Sequence, residues 1–271
     1  MLGAIIGDIV GSKYEFNNIK TKDFAFFQPD MYFTDDTVMT VAIYDALSSC
    51  KGDYSNLSEL AIEKMQEYGK RYPASRKIGY GSMFNGWLTL KNPAPYNSFG
   101  NGSAMRVSAV AYYSKSLEEV KKLSCAVTSV THNHKEGIKG AEATAIAIFM
   151  ALHGASKKEI KEKIEKEYYS LDFDYKKLKK DYFFNETCQG TVPQALYCFL
   201  ISKSFEDTIR TGVSIGGDSD TLCAIAGSVS EAYYGIPKHI RSEGKIYIDK
   251  FLNEKVDEFE MEFKNLIKLG G

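Results

Sequence analysis

Two short acidic segments hold the residues of this chain best suited to chemistry. Thr34-Asp35-Asp36-Thr37 stands just ahead of an apolar helix that begins at Val38. Gly216-Gly217-Asp218-Ser219-Asp220-Thr221 stands just ahead of another that begins at Leu222. Each brings two carboxylates and a hydroxyl to a helix start. One such segment taken alone divides evenly between a helix cap and a functional site, because Asp and Thr both favour the N-cap. Capping uses a single side-chain oxygen, however, and each segment supplies at least three. Four clustered carboxylates repel one another unless some are protonated or a cation joins them. With no Cys or His paired nearby, such hard oxygen donors select Mg²⁺, Mn²⁺ or Ca²⁺ over zinc. If both segments converge, they suit a two-metal site with ions ~3.5–4 Å apart.

The Asp218-Ser219-Asp220-Thr221 string also invites comparison with the D-x-D-x-[TV] nucleophile motif of haloacid dehalogenase phosphatases. Its fifth residue is Leu222 and no buried strand precedes it, so that comparison is weak. An EF-hand is excluded, because the ligand series and closing Glu of its loop are absent.

The elements that must position these carboxylates read as helices. Val120, Leu123, Val127 and Val130 fall on one helix face, and Leu222, Ala226, Val229 and Tyr233 step by four, three and four. Ala141–Leu152 is apolar all round except for Glu142 and Thr144, which predicts a helix surrounded by others. Asn56 with Glu59, Ser116 with Glu119 and Ser156 with Glu159 have capping-box spacing, and Ser204 with Asp207 is a weaker version. No run of alternating β-branched residues with hairpin turns is present. The expected class is all-α. Asn17–Phe33 is expected to be a long loop, Lys91–Gly102 cannot be a continuous helix, and Lys/Glu-rich Ser156–Asp181 is expected to form one solvated outer helix. No linker composition and no tandem repeat appears, so residues 1–271 are expected to form a single domain.

Bulk properties exclude several classes. Hydrophobic residues at 44% and charged residues at 25% are a globular balance. The 34 Lys and Arg against 35 Asp and Glu leave a formal charge of −1, which indicates neither nucleic acid nor a membrane surface as partner. Five scattered cysteines without a C-x-x-C pair fit buried thiols in a reducing cytosol. The apolar start MLGAIIGDIVG lacks a basic flank and is interrupted by Asp8, so it is expected to be a core helix and not a signal peptide. A cytoplasmic monomer is the default expectation.

Four ordered blocks together carry a resemblance: Gly3-Ala-Ile-Ile-Gly-Asp8-Ile-Val-Gly-Ser-Lys-Tyr-Glu15, Phe33-Thr-Asp-Asp-Thr37, Ser98-Phe-Gly-Asn-Gly-Ser-Ala-Met-Arg106 and Ser214-Ile-Gly-Gly-Asp-Ser-Asp-Thr221, with Thr131-His132 as a weaker fifth. In this order, from Gly3 to about Pro237, the chain resembles the ADP-ribosylglycohydrolase family. The resemblance implies a compact orthogonal helical bundle with two Mg²⁺ ions, or Mn²⁺, at its centre. It assigns metal ligation to Thr34, Asp35, Asp36, Asp218, Asp220 and Thr221, and catalysis to Glu15, Asp35 and Asp36. The Tyr14-Glu15 pair is most similar to the serine-directed and O-acetyl-ADP-ribose-cleaving branch, in which an acidic residue on a mobile flap approaches the metals; Asn17–Phe33 would belong to that flap. The charges of Glu15, Asp35, Asp36, Asp218 and Asp220 total −5 against +4 from two Mg²⁺, so such a cluster tolerates burial with metals and not without them.

The implied activity is Mg²⁺-dependent hydrolysis of the glycosidic or ester bond of an ADP-ribose conjugate, releasing ADP-ribose through an oxocarbenium-like state. Either Glu15 or Asp36 would be the general base. Ser98, Phe99, Gly100, Asn101 and Gly102 form a loop suited to a pyrophosphate, with backbone amides and a following helix start as donors; an ordinary turn is the equal alternative. Gly81, in the Gly79-Tyr80-Gly81-Ser82 turn, borders the expected site, and His132, with His134 at the end of a helix, is a candidate nucleotide contact. Arg106 either offsets phosphate charge or pairs on a helix surface, and Phe99 either stacks on adenine or packs. Trp87 and Tyr233-Tyr234 read as core. A magnesium-dependent nucleotide phosphohydrolase and a non-catalytic ADP-ribose-binding protein are the competing functions. The acceptor, whether arginine, serine, acetyl ester, nucleobase or small metabolite, is left open.

Overall fold

In the computed structural model, which describes residues 1–270, the chain runs through α1 (Leu2–Ser12), α2 (Asp35–Ser49), α3 (Leu57–Arg71), α4 (Ser82–Trp87), α5 (Gly102–Met105), α6 (Val110–Tyr113), α7 (Leu117–Thr128) and α8 (Lys135–Leu152). It continues through α9 (Lys157–Glu167), α10 (Tyr175–Asp181), α11 (Cys188–Ile201), α12 (Phe205–Ile215), α13 (Ser219–Tyr234), α14 (Lys238–Gly244) and α15 (Lys250–Glu262). The extended pairing among named strands is a two-residue parallel ladder, Ile236–Pro237 against Leu269–Gly270. The class is all-α. Among the described residues no helix is long and apolar enough to cross a membrane.

The centre of the packing is α13, buried from Ser219 to Ala232 and flanked by α1, α8, α11 and α12. Helix α1 is buried at every position, as its apolar sequence predicts. Its one ionisable side chain, Asp8, is wholly buried. What lets α1 and α13 touch backbone to backbone is small residues in register. A Cβ added at Gly3, Gly7 or Gly11 would meet Gly227, Cys223 or Ser219 and Asp220 well inside the 3.0 Å that real Cβ atoms essentially never breach. One face of α1 therefore fixes the height of α13, and with it the acidic segment at the start of α13.

Several local expectations hold and others need correction. Ser156 and Glu159 form the full capping box. Ser116 and Ser204 cap their helices, but their acidic partners bond the amides of Lys115 and Lys203 instead of closing a box. Asn56 makes no cap bond; Asp53 caps the preceding 3-10 turn, Tyr54–Asn56. Ser156–Asp181 is not one helix: α9 ends at Glu167 and α10 begins at Tyr175. Between them Tyr169 and Leu171 turn into the core, which a straight solvated helix would not permit. Residues 17–33 contain no helix, but they are strapped down rather than free. The Asn18 amide donates to the Gly217 carbonyl and accepts from the Gly217 amide, and Arg210 donates to the carbonyls of Lys22 and Phe24.

Candidate functional site

The two acidic segments meet. The Thr221 hydroxyl donates to Asp36 Oδ2 at 3.1 Å across 185 residues of sequence. Carboxylate oxygens of Glu15, Asp218 and Asp220 all lie within 4.8 Å of one another. These five residues and Asp35 line a cavity of about 320 Å³, a size within the usual range for small-molecule sites.

The competition between capping and chemistry is decided by hydrogen bonds. At α2 the orphan amides are satisfied by other groups. Thr34 accepts from the Asp36 amide, and Asp8 Oδ2, reaching over from α1, accepts from the amides of Thr34 and Thr37 at 2.8 and 3.0 Å and from the Thr37 hydroxyl at 2.5 Å. At α13 the N-cap Asp218 makes no cap bond; its Oδ2 accepts from Asn101 Nδ2 at 2.6 Å. The carboxylates of Asp36 and Asp218 are thus not consumed in holding helix ends. Gly216 and Gly217, at φ +73° and +82°, make the left-handed turn that swings the chain into α13, and the Tyr182 ring fills the space where a side chain at Gly217 would stand.

The donor set fits a divalent cation. Oδ1 of Asp8, of Asp36 and of Asp220 is buried without a hydrogen-bond partner among the described residues, and every nearby donor atom is a hard oxygen. Without a cation the cluster must hold protons instead. Burial and then the charge of Asp220 push Asp8 up to about 8, Glu15 up to about 9 and Asp35 up to about 7; the same causes raise Asp36 and Asp218 well above the usual carboxylate range.

Asp8 is the functional residue that pattern reading missed. It looks like an interruption of an apolar helix, yet it is the group that caps α2 and adds a further carboxylate to the cluster. The available signal was its isolation: a lone acid in an otherwise fully apolar turn costs several kcal/mol unless it has a task.

The cavity is also lined by Ser98, Gly100, Asn101, Gly102, Met105, Arg106 and His132, and by Gly79, Gly81 and Ser82, of which Gly79 stands beside Asp35. The loop is stitched to the turn before α11: the Asn101 amide donates to Glu186 O at 2.7 Å and the Cys188 amide to Phe99 O at 2.9 Å. Asn101 also bonds both Thr191 and Asp218, tying loop and acidic cluster together. Two expectations change here. The amides of Gly100 and Asn101 are already bonded, to Ser98 Oγ and Glu186 O, and the helix that follows is a single turn, too short for much dipole. Nor does Arg106 pair on a helix surface: it is 1% exposed, donates from Nη2 to the Thr131 hydroxyl at 2.7 Å, and leaves Nε unpartnered. No carboxylate is among the charges that act on it, and burial lowers it to about 10, so it stays cationic at neutrality.

Two expected site residues are not brought to the cavity wall. Thr34 is spent on its cap, and Phe99 is 45% exposed with its ring 5.2 Å from that of His134. His134 starts α8 as its N-cap rather than ending a helix, and His132 lies in the connection before it. Trp87 is core, stacked on Phe84 of the cavity wall, while Tyr233 and Tyr234 are only half-buried.

Comparison with known proteins is consistent with this geometry. A family model described as ADP-ribosylglycohydrolase matches residues 1–261. Human ADP-ribosylhydrolase ARH3 is 28% identical, the match covering 87% of this chain and 84% of that protein. The ADP-ribosylarginine hydrolase Tri1 of Pseudomonas putida is 27% identical over 87% of this chain and 70% of its own length. A solved structure described as an ADP-ribosylglycohydrolase-related protein complex superposes with a TM-score of 0.64 at 23% identity, covering 91% of this chain and 94% of that one, a likeness that bears on the fold.

Proposed function

Because the chain belongs to the ADP-ribosylglycohydrolase family, we propose that it hydrolyses the bond between the distal ribose of ADP-ribose and an acceptor, with two Mg²⁺ ions as cofactor. The observation that carries this reading is the polarity of the cavity. Glu15, Asp35, Asp36, Asp218 and Asp220 gather in its wall, and the same wall holds Arg106, buried and with no carboxylate acting on it, beside His132, with Glu186 lining the cavity by the 98–102 loop. ADP-ribose has the complementary pattern, a neutral polyol at one end and a pyrophosphate in the middle.

Asp35, Asp36, Asp218, Asp220 and Thr221 would hold the cations, with Thr34 capping behind them. Cations bound there would act as Lewis acids toward sugar hydroxyls and toward water. The protein's own groups do the rest. Glu15 is only half-buried and has no helix end to cap, so it can exchange a proton with water; Asp36 is wholly buried and already accepts from Thr221. We therefore assign Glu15 as general base for the attacking water. The surrounding carboxylates stabilise positive charge developing at the anomeric carbon. Asn101 ties the loop to the acidic cluster and keeps the sugar and phosphate subsites in register. Arg106 supplies the positive field that draws the pyrophosphate inward, away from the acids.

The test is a panel of defined conjugates, linked through arginine, serine, an acetyl ester and a nucleobase, incubated with and without chelator and read by mass spectrometry. Free ADP-ribose formed only with metal supports the proposal. Inorganic phosphate or AMP as product would replace it with a phosphohydrolase, and binding of ADP-ribose without any turnover with a reader. The panel also selects the acceptor, on which the named relatives divide: one is described as an arginine-directed hydrolase and the other by no acceptor.

A further inference from the structure

Behind Arg106, whose positive field the proposed reaction uses, lies a short hydrogen-bonded chain whose proton order that reaction leaves open. Arg106 Nη2 donates to Thr131 Oγ1 at 2.7 Å, and Thr131 Oγ1 lies 2.7 Å from His132 Nδ1. All three side chains are at least 96% buried. The question is where the single proton of the threonine hydroxyl points, since that decides which nitrogen of His132 carries hydrogen.

Three observations answer it. The guanidinium can only donate, so it takes one lone pair of the hydroxyl oxygen. The rival acceptor for the hydroxyl proton, the Thr128 carbonyl, stands at 3.4 Å and already receives the backbone amides of Thr131 and His132 at 3.2 and 2.9 Å, which use both its lone pairs. An Nδ1–H would moreover point its positive end toward the cationic Arg106, whereas an Nδ1 lone pair faces that charge favourably. The hydroxyl proton therefore goes to Nδ1.

We propose that Arg106, acting through Thr131, locks His132 in the neutral tautomer protonated on Nε2, so that the ring presents one N–H donor to an anionic group lying over the 98–102 loop. Nε2 has the geometry for it. The ring lines the cavity, and Nε2 stands beside the loop, 3.5 and 3.6 Å from where a Cβ would be at Gly100 and Gly102. This donor compensates for the loop amides of Gly100 and Asn101, which are already bonded within the protein. Arg106 and Thr131 are thus positioning residues, and His132 is the contact. The tautomer follows from the protein alone; only the identity of the anion as a pyrophosphate rests on the function proposed above.

The decisive measurement is the ¹⁵N spectrum of labelled histidine in the ligand-free protein at neutral pH. The chain has four histidines, so single substitutions of the other three assign His132. The expected result is a protonated Nε2 and a bare Nδ1; a protonated Nδ1 overturns the proposal, whether or not the protein turns over any conjugate. Thr131→Val, which removes the hydroxyl at nearly constant shape, is expected to mix the tautomers and to weaken ADP-ribose binding, measured by calorimetry, about tenfold. On an active conjugate it should raise KM by a similar factor with kcat within about twofold. Thr131→Ser is expected to restore both the spectrum and the affinity. Unchanged affinity in the Val variant, or no rescue by Ser, refutes the relay.

Discussion

Replacing Gly11 with Ala tests whether the α1–α13 contact is what places the acidic cluster. A Cβ at Gly11 would stand 2.5 and 2.6 Å from the Cα and amide nitrogen of Asp220, where ordinary contact begins at 3.4 Å. The two helices must part by roughly 0.8 Å at the residue that would bind metal, because both sides of the clash are backbone and neither can rotate away. Overpacking of this kind costs about 1–3 kcal/mol, of which the better helix propensity of Ala returns about 1. A net loss of about 1 kcal/mol, and at most about 2, is therefore expected in the metal-free protein. Metal should suffer further, since a site displaced by nearly 1 Å loses roughly 100-fold in function. A 100-fold weaker Kd removes about 2.7 kcal/mol of metal-linked stabilisation. The control is Gly3→Ala, whose Cβ would meet Glu231 Cβ at 2.6 Å, two turns from the cluster. Denaturant unfolding with and without Mg²⁺, alongside turnover, separates the two. Both variants should lose stability, but only Gly11→Ala should lose its response to Mg²⁺. If Gly11→Ala unfolds and binds Mg²⁺ like the parent, or if Gly3→Ala loses the metal response equally, the argument that this helix contact sets the site is wrong.

Asp35→Ala and Asp220→Ala should each lower Mg²⁺-dependent turnover more than about 100-fold with unchanged helical circular dichroism; undiminished turnover removes that residue from the metal set. Asp8→Ala strands the amides of Thr34 and Thr37, at about 1–3 kcal/mol for each unpaired group, whereas Asp8→Asn keeps an acceptor oxygen, so denaturation should rank Ala well below Asn. Glu15→Gln should reduce kcat more than it weakens ADP-ribose binding, and equal effects would take the base role from it. For pH, the folded-state values of Asp8, Asp35 and Glu15 stand above their usual ones, at about 8, 7 and 9. Their protonated forms are favoured by the fold, so their contribution is full below about pH 4 and is lost as pH climbs toward 7–9. Metal-free protein should accordingly weaken between pH 5 and pH 9, while added Mg²⁺ should stabilise it more at pH 8 than at pH 6; a flat metal-free profile would contradict the burial of the cluster.

Much of this molecule is local, and local features are legible in a sequence. The periodicity of Val120 to Val127 and of Leu222 to Val229 lies on buried helix faces as expected, because a helix needs only a repeating apolar stripe to declare itself. The acidic pairs stood out because residue types with few structural uses were concentrated in two places. Ser156–Asp181 misled because its Lys/Glu content is equally that of one long helix or two short ones, and Leu171 decides between them only by having a core to enter.

What the sequence by itself determined was therefore the helical class, the acidic residues that could bind cations and the order of the motifs. Tertiary structure decided which carboxylates are at liberty. Asp8 arrives from another helix to satisfy the amides of α2, and Asn101 arrives from a distant loop to meet Asp218; no spacing rule connects residues so far apart in the chain. It also decided for Arg106 between the two roles that the sequence left open, by burying it as a cation away from any helix surface. A group's hydrogen bonds and its distance from water are properties of everything packed around it, and only the folded chain specifies them.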